Sequence, residues 1–294
     1  MRMQSLVSFM AILALTSAST SLNAANEEAD IAAVARALAE RVMIVDTHID
    51  TPIRVLMNWV DVTQHTEYGD FDYERARAGG LNIPFMSIYT PAESEKAGTS
   101  YARANQLIDS VEAMAGRAPG KFAIVRSTQD AIKIMESGLI GLAMGMENGA
   151  PIEGKLENLK FFQDRGISYI TLAHSKSNHI SDSSYDEERQ WNGLSPFGKK
   201  MVAEMNRLGI MVDISHVSDE AFYQVLEISK VPVIASHSSA RHFTPGYERN
   251  MSDEMIHALA DKGGVLQINF GSSFLTQEGR QWYETMGEAR KNYL

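Results

Sequence analysis

Seven short apolar runs recur along the chain, separated by longer stretches of helical patterning. They cover residues 42–47, 81–89, 139–146, 167–172, 210–214, 231–235 and 265–270. Near-continuous apolar runs of this length are what strands show when both faces are covered by helices. The stretches between them carry helix punctuation. Residues 128–137 stop at Gly138, and residues 156–165 stop at Gly166. Ser195 and Pro196 stand as N-cap and first helical residue of a stretch that ends at Gly209. Further helices are expected over 219–228 and between Ser252 and the Gly263-Gly264 pair. Strand–helix units repeated in this way predict an α/β fold with a parallel sheet and helical crossovers. Residues 122–125 read as an extra strand, 175–192 as a long polar loop, and 277–292 as a terminal helix. No linker, composition break or internal repeat divides the chain.

A parallel sheet of this kind is either doubly wound or closed into a barrel. A doubly wound sheet collects its ligands near one switch point, whereas a barrel presents the C-terminal ends of many strands to one site. His48 and Asp50 follow the first run, Glu147 the third, His174 the fourth, His216 the fifth and His237 the sixth. Chemistry at five of seven strand ends favours a (β/α)8 TIM-type barrel with seven strands recognisable. No eighth strand follows Phe270, so strands one and seven are expected to have unpaired edges, a liability for aggregation.

Composition narrows the chemistry. The 294 residues are 44% hydrophobic and 22% charged, which supports a full core rather than a disordered chain. The formal net charge is −10, with no basic block, which argues against nucleic acid or an anionic membrane as main partner. There is no cysteine, so disulfides, thiol nucleophiles and thiolate metal sites are excluded, and the eight histidines must supply any nitrogen ligands. Residues 1–24 have the order of a secretory signal peptide: Arg2, an apolar run over 6–15, then small polar residues to Ala24. The run is too short for a membrane anchor. Residues 25–294 are therefore expected to form an exported barrel, periplasmic or extracellular.

Two residues apart on an extended chain, His48 and Asp50 point to one side and can hold one ion. Glu147, with two carboxylate oxygens, can bridge to a second ion held by His216 and His237. Imidazole and carboxylate together suit zinc. Two such ions acidify a shared water, giving hydroxide near neutral pH. Asp213 reads either as a group that orients a ligand from behind or as an ion-pair or capping residue, and Asp46 carries the same ambiguity. Tyr89 reads as a pocket wall or as packing. His179 is expected to be a solvated loop histidine, and His65 and His257 surface residues; His242 receives no ligand role. Ser238-Ser239 lacks a dedicated base and reads as a turn rather than a nucleophile.

The sequence resembles the membrane (renal) dipeptidases, the dinuclear zinc dipeptidases of the amidohydrolase-like barrels. The resemblance runs from about Ile44 to Phe270. It rests on Val-Asp-Thr-His-Ile-Asp-Thr-Pro (45–52), Gly-Met-Glu-Asn-Gly (145–149), Leu-Ala-His-Ser (172–175), Asn-Gly-Leu-Ser-Pro-Phe-Gly (192–198), Val-Asp-Ile-Ser-His-Val-Ser (212–218), Ser-His-Ser-Ser-Ala-Arg (236–241) and Arg-Asn-Met-Ser-Asp-Glu (249–254). It implies that His48 and Asp50 ligate one zinc, that Glu147 bridges, and that His216 and His237 ligate the other. It implies that His174 contacts substrate and steadies the oxyanion, and that Arg249 binds the C-terminal carboxylate of a dipeptide. It implies attack by a metal-bridging hydroxide, tolerance of a C-terminal D-residue, and a tendency to form homodimers. The family's eighth strand, with its proton-handling aspartate, has no counterpart here, so the chain is expected to be C-terminally truncated. The alternatives are a weakly active or inactive fragment that binds zinc and peptide, and an enzyme acting on another amide or a lactone.

Overall fold

The computed structural model describes residues 30–293. The expected signal peptide lies outside the described residues. Eight strands are all parallel: β1 (Ile44–Ile49), β2 (Leu81–Tyr89), β3 (Phe122–Ile124), β4 (Ile140–Glu147), β5 (Ile167–Thr171), β6 (Met211–Asp213), β7 (Ile234–Ser238) and β8 (Val265–Ile268). Seven of them run in the order β1-β2-β4-β5-β6-β7-β8, and β3 pairs only with β4. The path curls into a nearly closed TIM-type barrel. Across its interior the Thr47 hydroxyl on β1 donates to the Ser236 carbonyl on β7, 2.5 Å away. Among the described residues no strand stands between β8 and β1.

The helices lie where the punctuation places them. Ser195, Ser218 and Ser252 each cap a helix by accepting from the backbone N–H three residues on, and Gly209 ends the Pro196–Leu208 helix in a left-handed conformation. The core is the space between these helices and the sheet. All eight residues of β4 are buried, whereas β8, at the end of the sheet, is half exposed. Val265 and Ile268 are each about half accessible, so the expectation of strands covered on both faces fails at this edge.

Two strands, β1 and β7, begin at least two residues later than the apolar pattern suggests. β7 starts at Ile234 rather than at 231, because Pro232 has no N–H to give a ladder. His237 therefore lies within β7 rather than after it. β1 likewise extends through Ile49, so His48 is a strand residue. The 18-residue helix Ser100–Arg117 and the short helices Thr51–Met57, Tyr73–Ala78 and Ala92–Lys96 are absent from the sequence reading. The Ser100–Arg117 helix buries Ala104, Leu107, Ile108, Val111 and Met114 at helical spacing, interleaved with polar residues. No helix among the described residues is long and apolar enough to cross a membrane.

Candidate metal centre

The C-terminal ends of β1, β4, β5, β6 and β7 bring four imidazoles onto one carboxylate. Glu147, the last residue of β4, is buried. Its Oε1 lies 3.1 Å from His216 Nε2, 3.1 Å from His237 Nε2 and 3.5 Å from His174 Nε2. Its Oε2 lies 3.5 Å from His48 Nε2 and accepts from the Ser87 hydroxyl at 3.4 Å. His216 Nε2 and His237 Nε2 are 2.8 Å apart, and the rings of His48 and His237 stack at 3.7 Å.

Local backbone conformation delivers these side chains. Asn148 and His216 both adopt positive φ, 73° and 70°. Such conformations cost energy in non-glycine residues and concentrate at functional sites. Here they turn the chain just after β4 and β6, leaving Glu147 and His216 facing the barrel axis. On β4, Gly145 makes room for the Tyr169 ring. A Cβ at 145 would lie 1.9 Å from Tyr169 Cζ.

Two potential ligand triads share Glu147: His48, Glu147 and His237, and Glu147, His174 and His216. This grouping differs from the sequence reading, which pairs His216 with His237 and leaves His174 to substrate. Asp50 stands apart. Its Oδ1 is 3.6 Å from His48 Nε2, and its side chain is 62% exposed.

The electrostatics suit a cation. Burial works against ionised Glu147, but His48 and the hydrogen bonds of His216, His237 and His48 hold its pKa well below the carboxylate range. Burial also works against the His48 imidazolium, but Tyr169, Glu147 and Asp50 override it and raise the pKa well above the usual value. The other three imidazoles are pushed down. Burial dominates in each: His216 also feels Arg249 and falls well below 6.5, His237 feels His48 and falls to about 4, and His174 is lowered with a further contribution from Arg249. Neutral imidazoles are the form that ligates metal. Nδ1 of His174 and of His216 is buried without a hydrogen-bond partner. Converging nitrogen lone pairs around a buried carboxylate fit a divalent cation of the zinc type.

Arg249 closes one side and is 2% exposed. Its Nη1 donates to Ser238 Oγ at 2.7 Å, and its Nη2 donates to the His237 carbonyl at 2.5 Å and to His216 Nε2 at 3.1 Å. Its Nε is buried without a partner, and no carboxylate among the described residues pairs with it. The site opens into a cavity of about 1530 Å³ whose walls include Tyr89, Tyr185, Tyr247 and Phe274. The cavity also reaches β1, β8 and the helix Gln277–Tyr293. Tyr89 is thus a wall residue, set edge-on to His174 at 4.8 Å. Burial and the charge of Glu147 push its phenol up to about 12.

Other candidates fall outside the centre. His179 is not solvated: it is half-buried, its Nδ1 lies 2.6 Å from Glu95, and its Nε2 accepts from the Gly154 N–H. It ties the 175–192 loop to two neighbouring segments. His65, His242 and His257 are exposed. Asp213 is neither a cap nor an ion-pair residue. It is buried and accepts from Ser236 Oγ at 2.7 Å, from Ser236 N and Ser215 N, and from the Thr171 hydroxyl. The sequence reading missed Ser87, Tyr169, Tyr185, Ser236 and Tyr247. The one available signal was Gly145 inside an apolar strand, which marks close approach of another group.

The sequence profile of the membrane dipeptidases (peptidase family M19) matches residues 32–290. A dipeptidase of Schizosaccharomyces pombe, itself described as uncharacterized, is 31% identical over 248 residues, covering 79% of this chain and 60% of that protein. A dipeptidase of Claviceps purpurea is 33% identical over 211 residues, covering 69% of this chain and 49% of that one. The chain thus spans about half to three fifths of the length of these relatives. Among solved structures, a Rhodobacter sphaeroides metallopeptidase liganded with a phosphinate mimic of the dipeptide L-Ala-D-Ala superposes with a TM-score of 0.74 at 26% identity, covering 81% of this chain and 77% of that chain. The probable dipeptidase PvdM of Pseudomonas aeruginosa superposes with a TM-score of 0.73 at 25% identity, covering 82% and 63%.

Proposed function

This chain belongs to the membrane dipeptidase family, peptidase family M19, and on that premise we propose that it hydrolyses dipeptides at a dinuclear zinc centre. The observation that carries the reading is the convergence of four imidazoles on Glu147 beside a buried, carboxylate-free Arg249. His48, Asp50, Glu147, His216 and His237 would hold the ions, with Glu147 shared between them. Bound zinc supplies a Lewis acid and a water made nucleophilic at neutral pH.

The remaining roles belong to the chain itself. Arg249 offers a planar cation to the C-terminal carboxylate of the substrate, the geometry in which guanidinium outperforms ammonium. Its buried setting removes competing water. His174, kept neutral by burial and by Arg249, can present Nε2–H to the scissile carbonyl oxygen as negative charge develops there. A donor of this kind lowers a barrier by about 3 kcal/mol. Tyr89 packs against His174 and limits its rotation. The phosphinate-liganded relative supports acceptance of a D-residue on the C-terminal side.

The test is hydrolysis of L-Ala-D-Ala and L-Ala-L-Ala by protein loaded with two equivalents of zinc. Release of free alanine is expected. Two bound zinc ions with no cleavage of any dipeptide would refute turnover. A second reading, binding of zinc and dipeptide with little turnover, has one observation in its favour. Among the described residues, the carboxylates in ion-pair range of the four imidazole rings are Glu147 and Asp50, both in the proposed ligand set.

A further inference from the structure

His174 follows β5 in a segment that is neither strand nor helix. Its Nδ1 is buried without a hydrogen-bond partner. No side chain grips the ring from behind, so its direction toward Glu147 is set by the backbone that carries it and by the Tyr89 ring against it. That backbone is anchored on both sides. The Ser183 hydroxyl donates to the His174 carbonyl. Two residues before His174, the Leu172 carbonyl accepts from Asn178 Nδ2 at 2.8 Å.

Asn178 is buried and fully engaged. Its Nδ2 also donates to Asn148 Oδ1 at 3.0 Å, while its Oδ1 accepts from the N–H groups of Ile180 and Ser181 at 2.8 and 3.0 Å. With every donor and acceptor used, only one orientation of this amide fits. Asn148, the residue after Glu147, is also buried and stands at positive φ. Its Oδ1 accepts from the Ala150 N–H at 3.2 Å as well, and its Nδ2 donates to the Thr90 carbonyl at 2.9 Å. Thr90 follows Tyr89 directly. Two amides in contact thus tie the chain together at Tyr89, Glu147 and His174, past the ends of β2, β4 and β5. Buried polar groups that are fully satisfied specify one arrangement, and half-satisfied ones are costly. Neither asparagine lines the cavity.

We propose that Asn178 and Asn148 are positioning residues that hold His174 at a fixed place relative to Glu147, with Nε2 where charge develops on the substrate. They act through His174, and this inference rests on the reading of His174 as the donor to the scissile carbonyl oxygen. A misplacement of about 1 Å can cost on the order of 100-fold in rate.

The experiment uses the zinc-loaded full chain with Asn178→Ala, Asn148→Gly and Gln224→Ala. Glycine keeps the positive φ without strain, so Asn148→Gly carries the test if Asn178→Ala does not fold. Gln224 braces the far end of the same loop, accepting from the Leu194 N–H at 2.9 Å and donating to the Asn192 carbonyl at 2.8 Å, and serves as the control for loop damage. For L-Ala-D-Ala, kcat should fall roughly 10- to 100-fold in the two asparagine variants. KM should stay within about twofold, because Arg249 is untouched. Gln224→Ala should lower the unfolding temperature and leave kcat in place. In a His174→Ala background, Asn178→Ala should cost nothing further in kcat. Crystal structures of the asparagine variants should show the His174 ring displaced from its place 3.5 Å from Glu147. A ring that stays in place, an equal kcat loss in Gln224→Ala, or a full loss that persists in the His174→Ala background would overturn the proposal. A parent protein that cleaves no dipeptide would instead sink the proposed function, and the ring position would still decide the role of the two asparagines.

Discussion

Replacing Arg249 by Met separates substrate recognition from stability. In the free protein the guanidinium makes three hydrogen bonds, to Ser238 Oγ, the His237 carbonyl and His216 Nε2, while Nε is buried and unpaired. Losing the three bonds costs about 1 kcal/mol each. Removing a buried charge that has no partner returns several kcal/mol, on the order of the penalty for burying an ion. The two effects oppose each other, so the variant should be no less stable than the parent. Substrate binding should behave differently. Truncating one side of a buried, hydrogen-bonded charge pair costs about 2–5 kcal/mol. Taking about 3 kcal/mol, at 1.4 kcal/mol per factor of ten, KM for a free dipeptide should rise roughly 100-fold. The assay compares L-Ala-D-Ala with its C-terminal amide in parent and variant, alongside thermal unfolding. The variant should lose its preference for the free acid while the amide, already lacking the carboxylate, reacts much as with the parent. Equal losses for acid and amide, or a KM for the acid that does not move, would refute the assignment of Arg249.

Gly145→Ala places a methyl group within the Tyr169 ring, so it should destabilise the fold by about 1–3 kcal/mol and weaken zinc binding through His48. Parent-like urea unfolding would contradict this. In the metal-free protein, the stabilisation from His48 is complete below pH 6.5 and disappears as pH rises through its raised folded pKa. That from Glu147 is complete above pH 4.5 and disappears as pH falls toward its depressed folded value. Urea titrations across pH check both signs. Chelation should abolish hydrolysis and lower the unfolding temperature, by about 4 kcal/mol in free energy if zinc had been present at a thousand times its dissociation constant. An unchanged melting temperature would show that the ions do not bind the native state preferentially.

Much of this protein can be read along the chain because its signals are local. Ser195-Pro196 and Gly209 bracket a helix by satisfying or ending hydrogen bonds within four residues. The apolar runs mark strands because a parallel sheet buries both faces. The four imidazoles and Glu147 are legible as one cluster because a barrel puts strand ends at one site, so position along the chain converts into position in space, whereas Asp50 stands apart. What the tertiary structure alone decides is which atoms meet. The pairing of His216 with His237 looks natural from adjacent strands, yet His237 also stacks on His48 across the gap in the sheet, and His174 joins His216 at Glu147. Tyr169 looks like core in an apolar strand. Its hydroxyl reaches His48 only because Gly145, two strand positions before Glu147, leaves space for the ring. The direction of a side chain's hydrogen bond depends on partners far along the chain, 23 residues away for Ser236 and Asp213 and 121 for Tyr169 and His48. Periodicity carries no record of such distances, because it reports which face a residue occupies and not which residue stands opposite.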